Sequence, residues 1–423
     1  MTIANDPNLV SWLSIPADSD FPLQNIPFGV ACLSHNECFI ATRIGDSVIN
    51  LALLNRLGYF NALNIEASVF HAPCLNPLMK QGKWGIRALR DRIATLFSSG
   101  NVELQNCIEH QREAIYNVDA VRMMLPVQIG DYTDFYSSKE HATNVGMMFR
   151  DPENALLPNW LWLPVGYHGR SSSIITSDVP VRRPKGQTKL EGENPVYGPS
   201  KRVDFELEMG FITFDGKPLG ERITTDEAEE YIFGLCLFND WSARDIQQWE
   251  YVPLGPFLAK NFASSMSPWI VTLDALQPFK VESPVQNPPV LDYLKFEGKK
   301  SYDIQLEVFL QPANGEENRI CSSNFKYMYW NMAQQLAHHT VNGCNIRCGD
   351  LMGSGTISGP TPDSYGSMLE LAWKGTLPIA MSDGTTRTFI QDFDTVIFRG
   401  FCRQKELRIG FGEVRTQLLP AFE

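Results

Sequence analysis

The last two-thirds of the chain has no regular alternation of strand and helix, and that limits its fold more than any other feature. Residues 302–312, YDIQLEVFLQP, alternate apolar and polar like a strand. Short runs broken by glycine follow: LMGSGTISG, MLELAWKG, DTVIFRGFC and ELRIGFGEV. Helical spacing intrudes irregularly. Residues 324–343 predict a helix with Met328, Met332 and Leu336 on one face and Gly343 after its end. Serial βα units would repeat steadily, so the pattern disfavours a doubly wound parallel sheet. The class is α+β, mostly β.

The first part of the chain reads differently. Residues 38–54 hold two β-like runs with Gly45-Asp46 as a hairpin turn. Ile86, Leu89, Ile93, Leu96 and Phe97 fall at helical spacing, with Gly100 as the stop, and a second helix is expected over 103–115. No cluster of reactive side chains occurs before residue 120, and His35, His71 and His110 read as surface or packing residues. A small β-rich domain with helices over 1–124 and a larger catalytic domain over 125–423 are expected.

The chain has 423 residues, 43% of them hydrophobic, enough for a large core. Its net charge is −12 and its pI about 5.2, which disfavours nucleic acid and anionic membranes as partners. The opening residues carry no secretory pattern, and no apolar run approaches the ~18 residues of a membrane span. The nine scattered cysteines therefore read as reduced thiols of a cytoplasmic protein.

Chemistry-bearing residues cluster after residue 128. The stretch 129–150, IGDYTDFYSSKEHATNVGMMFR, is polar and aromatic and reads as an active-site loop holding Asp134, Tyr136, His141 and Arg150. In 203–213, VDFELEMGFIT, alternation puts Asp204, Glu206 and Glu208 on one face and Phe205, Leu207 and Met209 on the other. Adjacent carboxylates repel unless a cation lies between them, and an all-carboxylate set suits a hard divalent ion. The alternative is a solvated edge strand. Thr224 and Glu227 form a capping box opening a helix to about Tyr231, and 234–240 reads as a strand ending at Asp240. Asp240 is either a turn residue or a third ligand. Arg244, Gln247 and Tyr251 share one face of a short helix over 242–250, where an arginine and a glutamine could stabilise an oxyanion. Lys260, in an otherwise apolar stretch, could join them. His141 reads as a general base, with His168 as its competitor, and His338 and His339 as residues at a helix C-terminus.

Taken together, DYTDFYSSKEHATNVGMMFR, LPNWLWLPVGYHGRSSSI, DFELEMGF, FNDWSARDIQQWEYVPLGPFLAKNF, HHTVNGCN and GSGTISGPTPDSYGSMLEL resemble the fumarylacetoacetate hydrolase family. The resemblance implies a small N-terminal SH3-like barrel, a large C-terminal mixed β-sandwich roll, and a homodimer. It implies Ca²⁺ on Asp134, Glu206, Glu208 and Asp240, and a general base at His141 oriented by Glu370. It implies oxyanion donors at Arg244, Gln247 and Lys260. Substrate contacts would fall on Tyr136, Arg150, Tyr167, Gln247, Tyr251 and Thr356. A second, Mg²⁺ site would use Asp240, Lys260 and Ser264. There the chain departs from the family, with Ala263-Ser264 in place of the usual Gly-Thr.

The activity implied is metal-dependent hydrolysis of the carbon–carbon bond of a 1,3-diketo acid, 4-fumarylacetoacetate, the last step of tyrosine and phenylalanine breakdown. The alternatives are another reaction of the superfamily, decarboxylation or isomerisation of a related keto acid, and a metal-stabilised binding protein without catalysis.

Overall fold

The computed structural model describes residues 2–34 and 37–423, so His35 lies outside the described residues. Near the N-terminus an antiparallel, barrel-like sheet of five strands forms in the order Ile115–Asn117, Ser47–Asn50, Glu37–Ile44, Phe28–Ser34, Arg122–Met123. Gly45 makes the expected hairpin turn with φ +57°. The helix predicted around 86–97 runs over Gly82–Phe97, and its Ile86, Leu89, Ile93 and Phe97 are buried against that sheet. The helix expected over 103–115 is confined to Ile108–Ala114. His71 is exposed, and His110 Nδ1 lies 2.8 Å from the Tyr59 hydroxyl, a packing role.

The expectation that all cysteines are reduced does not hold. Cys32 and Cys38 face each other across the first hairpin, with Cα atoms 4.0 Å apart, and are joined as a disulfide. The other seven are free thiols.

The remainder is built on two curled sheets. The larger carries the site and is numbered here by its site-bearing elements: β1 (Tyr132–Phe135), α1 (Lys139–Phe149), β2 (Gly166–Gly169), β3 (Leu207–Thr213), β4 (Ile232–Asp240), α2 (Arg244–Glu250), β5 (Ser264–Met266), β6 (Leu351–Gly353) and α3 (Met368–Leu371). Its strands run β2–β1–β6–β3–β4–β5, then Ile174–Thr176. The β1–β6 pair and the last pair are parallel and the others antiparallel, so the sheet is mixed. The smaller sheet is centred on Gln305–Gln311, Thr395–Gln404 and Leu407–Leu419.

Alternation assigns the two faces of the large sheet. Leu207, Met209 and Phe211 of β3 and Leu235 and Leu237 of β4 pack with Val308, Leu310, Val396 and Phe398 of the smaller sheet. Tyr132, Ile212, Cys236, Phe238 and Met266 point the other way, into the core of the N-terminal sheet. Asp134, Glu208 and Asp240 share this second face by strand period. It is thus apolar under the N-terminal sheet and acidic beyond it. β3 is central and wholly buried, which removes the solvated-edge reading.

Two expected elements come out shorter. Thr224 and Glu227 make the reciprocal bonds of a capping box, but only the turn Ala228–Glu230 follows before β4. The helix predicted over 324–343 is a turn, Phe325–Tyr327, and then Met332–Thr340, capped by Asn331.

Candidate active site

The stretch read as one loop is an ordered strand, β1, followed by a helix of about three turns, α1. Asp134, Ser137, Ser138, His141 and Asn144 are buried instead of facing water, so a pattern that signals exposure was misread. Ser138 caps α1, its hydroxyl accepting the N–H of His141 at 3.2 Å.

Asp134, Glu206, Glu208 and Asp240 converge, each offering a carboxylate oxygen within 4.8 Å of the others, all buried. Asp134 comes from β1, Glu208 from β3, Asp240 from the end of β4 and Glu206 from the residue pair before β3. Between β1 and β3 runs β6, where Gly353 is paired with both Asp134 and Gly210. A Cβ on Gly353 would lie 2.8 Å from Asp134 Oδ1 and 3.0 Å from Glu208 Oε2, so its missing side chain leaves the space in which the acids meet.

Burial, reinforced by Asp240, raises the Asp134 carboxyl well above its usual range. Glu208 is raised in the same way by burial and by Asp134. Burial acts on Glu206 too, but Lys260 and Arg244 outweigh it and bring it down to about 2. Asp134 Oδ1 and Glu208 Oε1 are buried without a hydrogen-bond partner among the described residues. Orphaned acceptors beside four carboxylates, with no sulfur or imidazole in the set, fit a hard divalent cation.

Asp204 does not join this row. It belongs to a separate short strand, Val203–Asp204, so the period of β3 does not extend through it. Its carboxylate accepts Arg244 Nε at 2.7 Å and the N–H groups of Met368 and Leu369 at 2.7 and 3.1 Å. It therefore ties the arginine of α2 to the first turn of α3.

Arg244 also binds Glu206 Oε1 at 2.7 Å and donates to Gln247 Oε1 at 3.1 Å. Its Nη2 is buried with no partner among the described residues, a donor left over beside the acids. Lys260 donates to Asp240 Oδ2 at 2.7 Å and to Glu206 Oε2. Ser264 Oγ donates to Asp240 Oδ1 at 2.8 Å. Asp240, Lys260 and Ser264 are thus brought together, with Ala263 buried beside them, but Asp240 is the only carboxylate among the three.

His141 Nδ1 lies 2.6 Å from Glu370 Oε2, both side chains buried. His168 falls away from the site. Pairing of β1 with β2 sets Tyr167 opposite Asp134 and His168 opposite Thr133, on the other face, where His168 is exposed. His339, on the last turn of Met332–Thr340, has its Nε2 3.1 Å from Thr133 Oγ1, and His338 Nδ1 lies 3.0 Å from the Tyr293 hydroxyl.

The residues expected to touch substrate are less uniformly gathered. Tyr167 donates its hydroxyl to Asp240 Oδ2 at 3.1 Å. The Tyr136 ring packs edge-on against His141. Tyr136 and Arg150 line a cavity of about 100 Å³ with Leu156, Trp160 and Val165. Arg150 is exposed and donates to the Ala155 carbonyl. Thr356 is buried, whereas Tyr251 is half exposed past the end of α2. The larger cavity of about 620 Å³, lined by Arg222, Gln286, Tyr293 and Lys295, contains none of these residues.

Three polar residues escaped the sequence reading. Asn144, Ser358 and Ser367 all donate to the Glu370 carboxylate. Two left signals. Ser367-x-x-Glu370 is a capping-box spacing, and Asn144 sits three residues after His141, on the same helix face. Ser358 arrives from a loop and left none.

The chain matches two family profiles along its length: "Fumarylacetoacetase N-terminal" over residues 24–126 and "Fumarylacetoacetate (FAA) hydrolase C-terminal" over 131–419. It is 50% identical over 420 residues to the fumarylacetoacetase of Dictyostelium discoideum, covering 98% of each chain. It is 50% identical over 415 residues to that of Homo sapiens, covering 97% of this chain and 99% of the relative. Among solved structures, the fumarylacetoacetate hydrolase of Exiguobacterium antarcticum covers 93% of this chain and 99% of its own, with a TM-score of 0.52 at 16% identity, a likeness of fold. On these matches, which span both the N-terminal sheet and the acid-bearing sheets, the chain belongs to the fumarylacetoacetase family.

Proposed function

We infer that this chain is a fumarylacetoacetase, hydrolysing 4-fumarylacetoacetate to fumarate and acetoacetate. The observation that carries the reading is end-to-end identity of about half to curated fumarylacetoacetases, in a chain whose buried acids, arginine donor and histidine–glutamate pair converge. The decarboxylase or isomerase alternative is not favoured by relatives of this extent.

His141 is proposed as the base. Glu370 holds Nδ1, so the other nitrogen, Nε2, takes a proton from water as its oxygen bonds to the substrate carbonyl carbon. The tetrahedral oxyanion is held by Nη2 of Arg244, with Gln247 and Lys260 as further donors. The carbon–carbon bond then breaks, its electron pair leaves on the acetoacetate carbon as an enolate, and the imidazolium returns the proton. Arg150 and Tyr136 meet the fumaryl end, and Tyr167, Tyr251 and Thr356 complete the substrate contacts. Asp134, Glu206, Glu208 and Asp240 would hold Ca²⁺, and Mg²⁺ would be held by Asp240 and Ser264 oxygens, with the Lys260 ammonium as a neighbouring charge and not a ligand. When bound, a divalent ion supplies positive charge to the diketone oxygens and to the enolate.

The same reading places the enzyme in the cytoplasm, in tyrosine and phenylalanine breakdown, as two domains over 1–124 and 125–423 and as a homodimer. The surface that supports a dimer is the loop after α2, where Val252, Leu254 and Phe257 are 65%, 97% and 64% exposed. Light scattering should show Leu254→Glu as a monomer. A dimer of unchanged affinity would move the interface elsewhere.

The test of the activity is the ultraviolet absorbance of fumarylacetoacetate. It should fall in the presence of the protein and Ca²⁺ or Mg²⁺, and not after chelation. His141→Ala should abolish turnover. A protein that binds the ion but leaves the absorbance unchanged would be the non-catalytic alternative.

A further inference from the structure

Glu370 is a fully buried carboxylate whose oxygens are both filled by side-chain donors. Asn144 Nδ2 reaches Oε1 at 2.9 Å, Ser367 Oγ reaches Oε2 at 2.8 Å, and Ser358 Oγ lies 2.9 Å from both. Ser358 and Ser367 are 0% exposed and Asn144 6%. The donors come from three places: Asn144 from α1, Ser367 from the cap of α3, and Ser358 from the loop after β6.

Ser358 is itself fixed at each end. Its hydroxyl accepts the Gly366 N–H at 3.0 Å, and its carbonyl accepts the Ser138 hydroxyl at 3.2 Å. Ser138 is the cap of α1, as Ser367 is the cap of α3. His141 and Glu370 occupy the same position, third in a capped helix, and Ser358 bridges the two caps' surroundings.

A buried carboxylate without donors takes up a proton. A protonated Glu370 would present an O–H to His141 Nδ1. The imidazole would then carry its own proton on Nε2, the atom that must accept one from water. Side-chain donors aimed at both oxygens favour the ionised form and oppose this. Of the other titratable groups near the pair, Tyr136, Glu140, Glu206, Cys321 and Tyr365, none donates to Glu370 among the described residues.

We propose that Ser358 and Asn144 are positioning residues that keep Glu370 ionised and thereby hold the His141 proton on Nδ1, leaving Nε2 open to water. The inference rests on the reading of His141 as the base. Neither residue touches the reacting atoms. Their effect is on which nitrogen bears the proton.

Nitrogen-15 spectra of labelled imidazoles in the full, Ca²⁺-loaded chain report the tautomer directly, and His141→Ala assigns the signal. The wild type should show Nδ1–H. The double variant Ser358→Ala/Asn144→Ala should shift His141 toward Nε2–H and lower kcat between about tenfold and a hundredfold, with KM within about twofold. Asn144→Ala alone should give part of both effects, and it serves if the double variant does not fold. Ser358→Cys, which keeps a weak donor, should recover part of the loss. A wild-type tautomer in the variants, whatever their kcat, overturns the proposal. Full turnover by His141→Ala overturns the reading beneath it, a separate outcome.

Discussion

Gly353 decides whether the four acids can meet at all. It is the one residue of β6 set between Asp134 and Glu208, and any side chain there would fill the space their oxygens share. Gly353→Ala should leave the fold intact, since β6 keeps its ladder bonds, while weakening Ca²⁺ binding about tenfold or more by calorimetry. Unchanged affinity would mean that the cation sits away from these two acids. The individual site residues were legible in the sequence: ExE in a strand, Asp240 at a strand end, His141 in a polar stretch. Gly353 was not, because its contribution is an absence of atoms that only the packed neighbours make visible.

At the scale of elements, α2 and α3 act as one unit through Asp204. A single carboxylate pairs with Arg244 and satisfies the first two N–H groups of the helix that carries Glu370. Both side chains are buried, with exposures of 0% for Asp204 and 7% for Arg244. Losing one partner of such a pair strands the other charge. Asp204→Asn should therefore cost about 3 kcal/mol in denaturant unfolding. It should also lower kcat, because the oxyanion donor and the orienting glutamate loosen together. A loss of stability with kcat untouched would separate the two elements. The sequence reading put Asp204 in the metal row because alternation was carried past the end of a strand. The error in 129–150 has a related cause. Polarity usually marks solvent, but α1 turns His141, Ala142 and Asn144 inward to a buried polar centre.

At the scale of the molecule, the N-terminal sheet covers the back of the large sheet, and the helix Gly82–Phe97 packed on it is pinned by charge to the short helix Leu273–Leu276. Arg87 grips Asp274 with two bonds, at 2.8 and 2.6 Å. Burial opposes ionisation of Asp274, but Arg87 prevails and lowers its carboxyl below the usual 3.8. A carboxyl depressed in the folded state adds stability above its unfolded value, lost as pH falls through the lowered one. Thermal melts should therefore show the clamp intact above about pH 4 and fading below it. Asp274→Asn should lower the melting temperature near neutrality and flatten the acid limb. An unaltered acid limb would assign the acid sensitivity to other carboxylates.

What the sequence determined by itself was local and chemical. Periodicity of two marked β3, an apolar run marked β4, Gly45 marked the hairpin between Glu37–Ile44 and Ser47–Asn50, and the residue types around 206, 240 and 244 pointed to a cation and an oxyanion. Fold class followed from the missing strand–helix alternation. Tertiary structure decided which acids share one point, which of His141 and His168 faces them, and what holds Glu370. These depend on strand order, with β6 inserted between β1 and β3, and on a one-residue register that sends Tyr167 inward and His168 outward. Pairing across more than a hundred residues leaves no trace in local spacing, because the chain's neighbours in space are not its neighbours in sequence. The Cys32–Cys38 bond has another cause: the thiols are only six residues apart, and the register of the first hairpin is what sets them opposite each other.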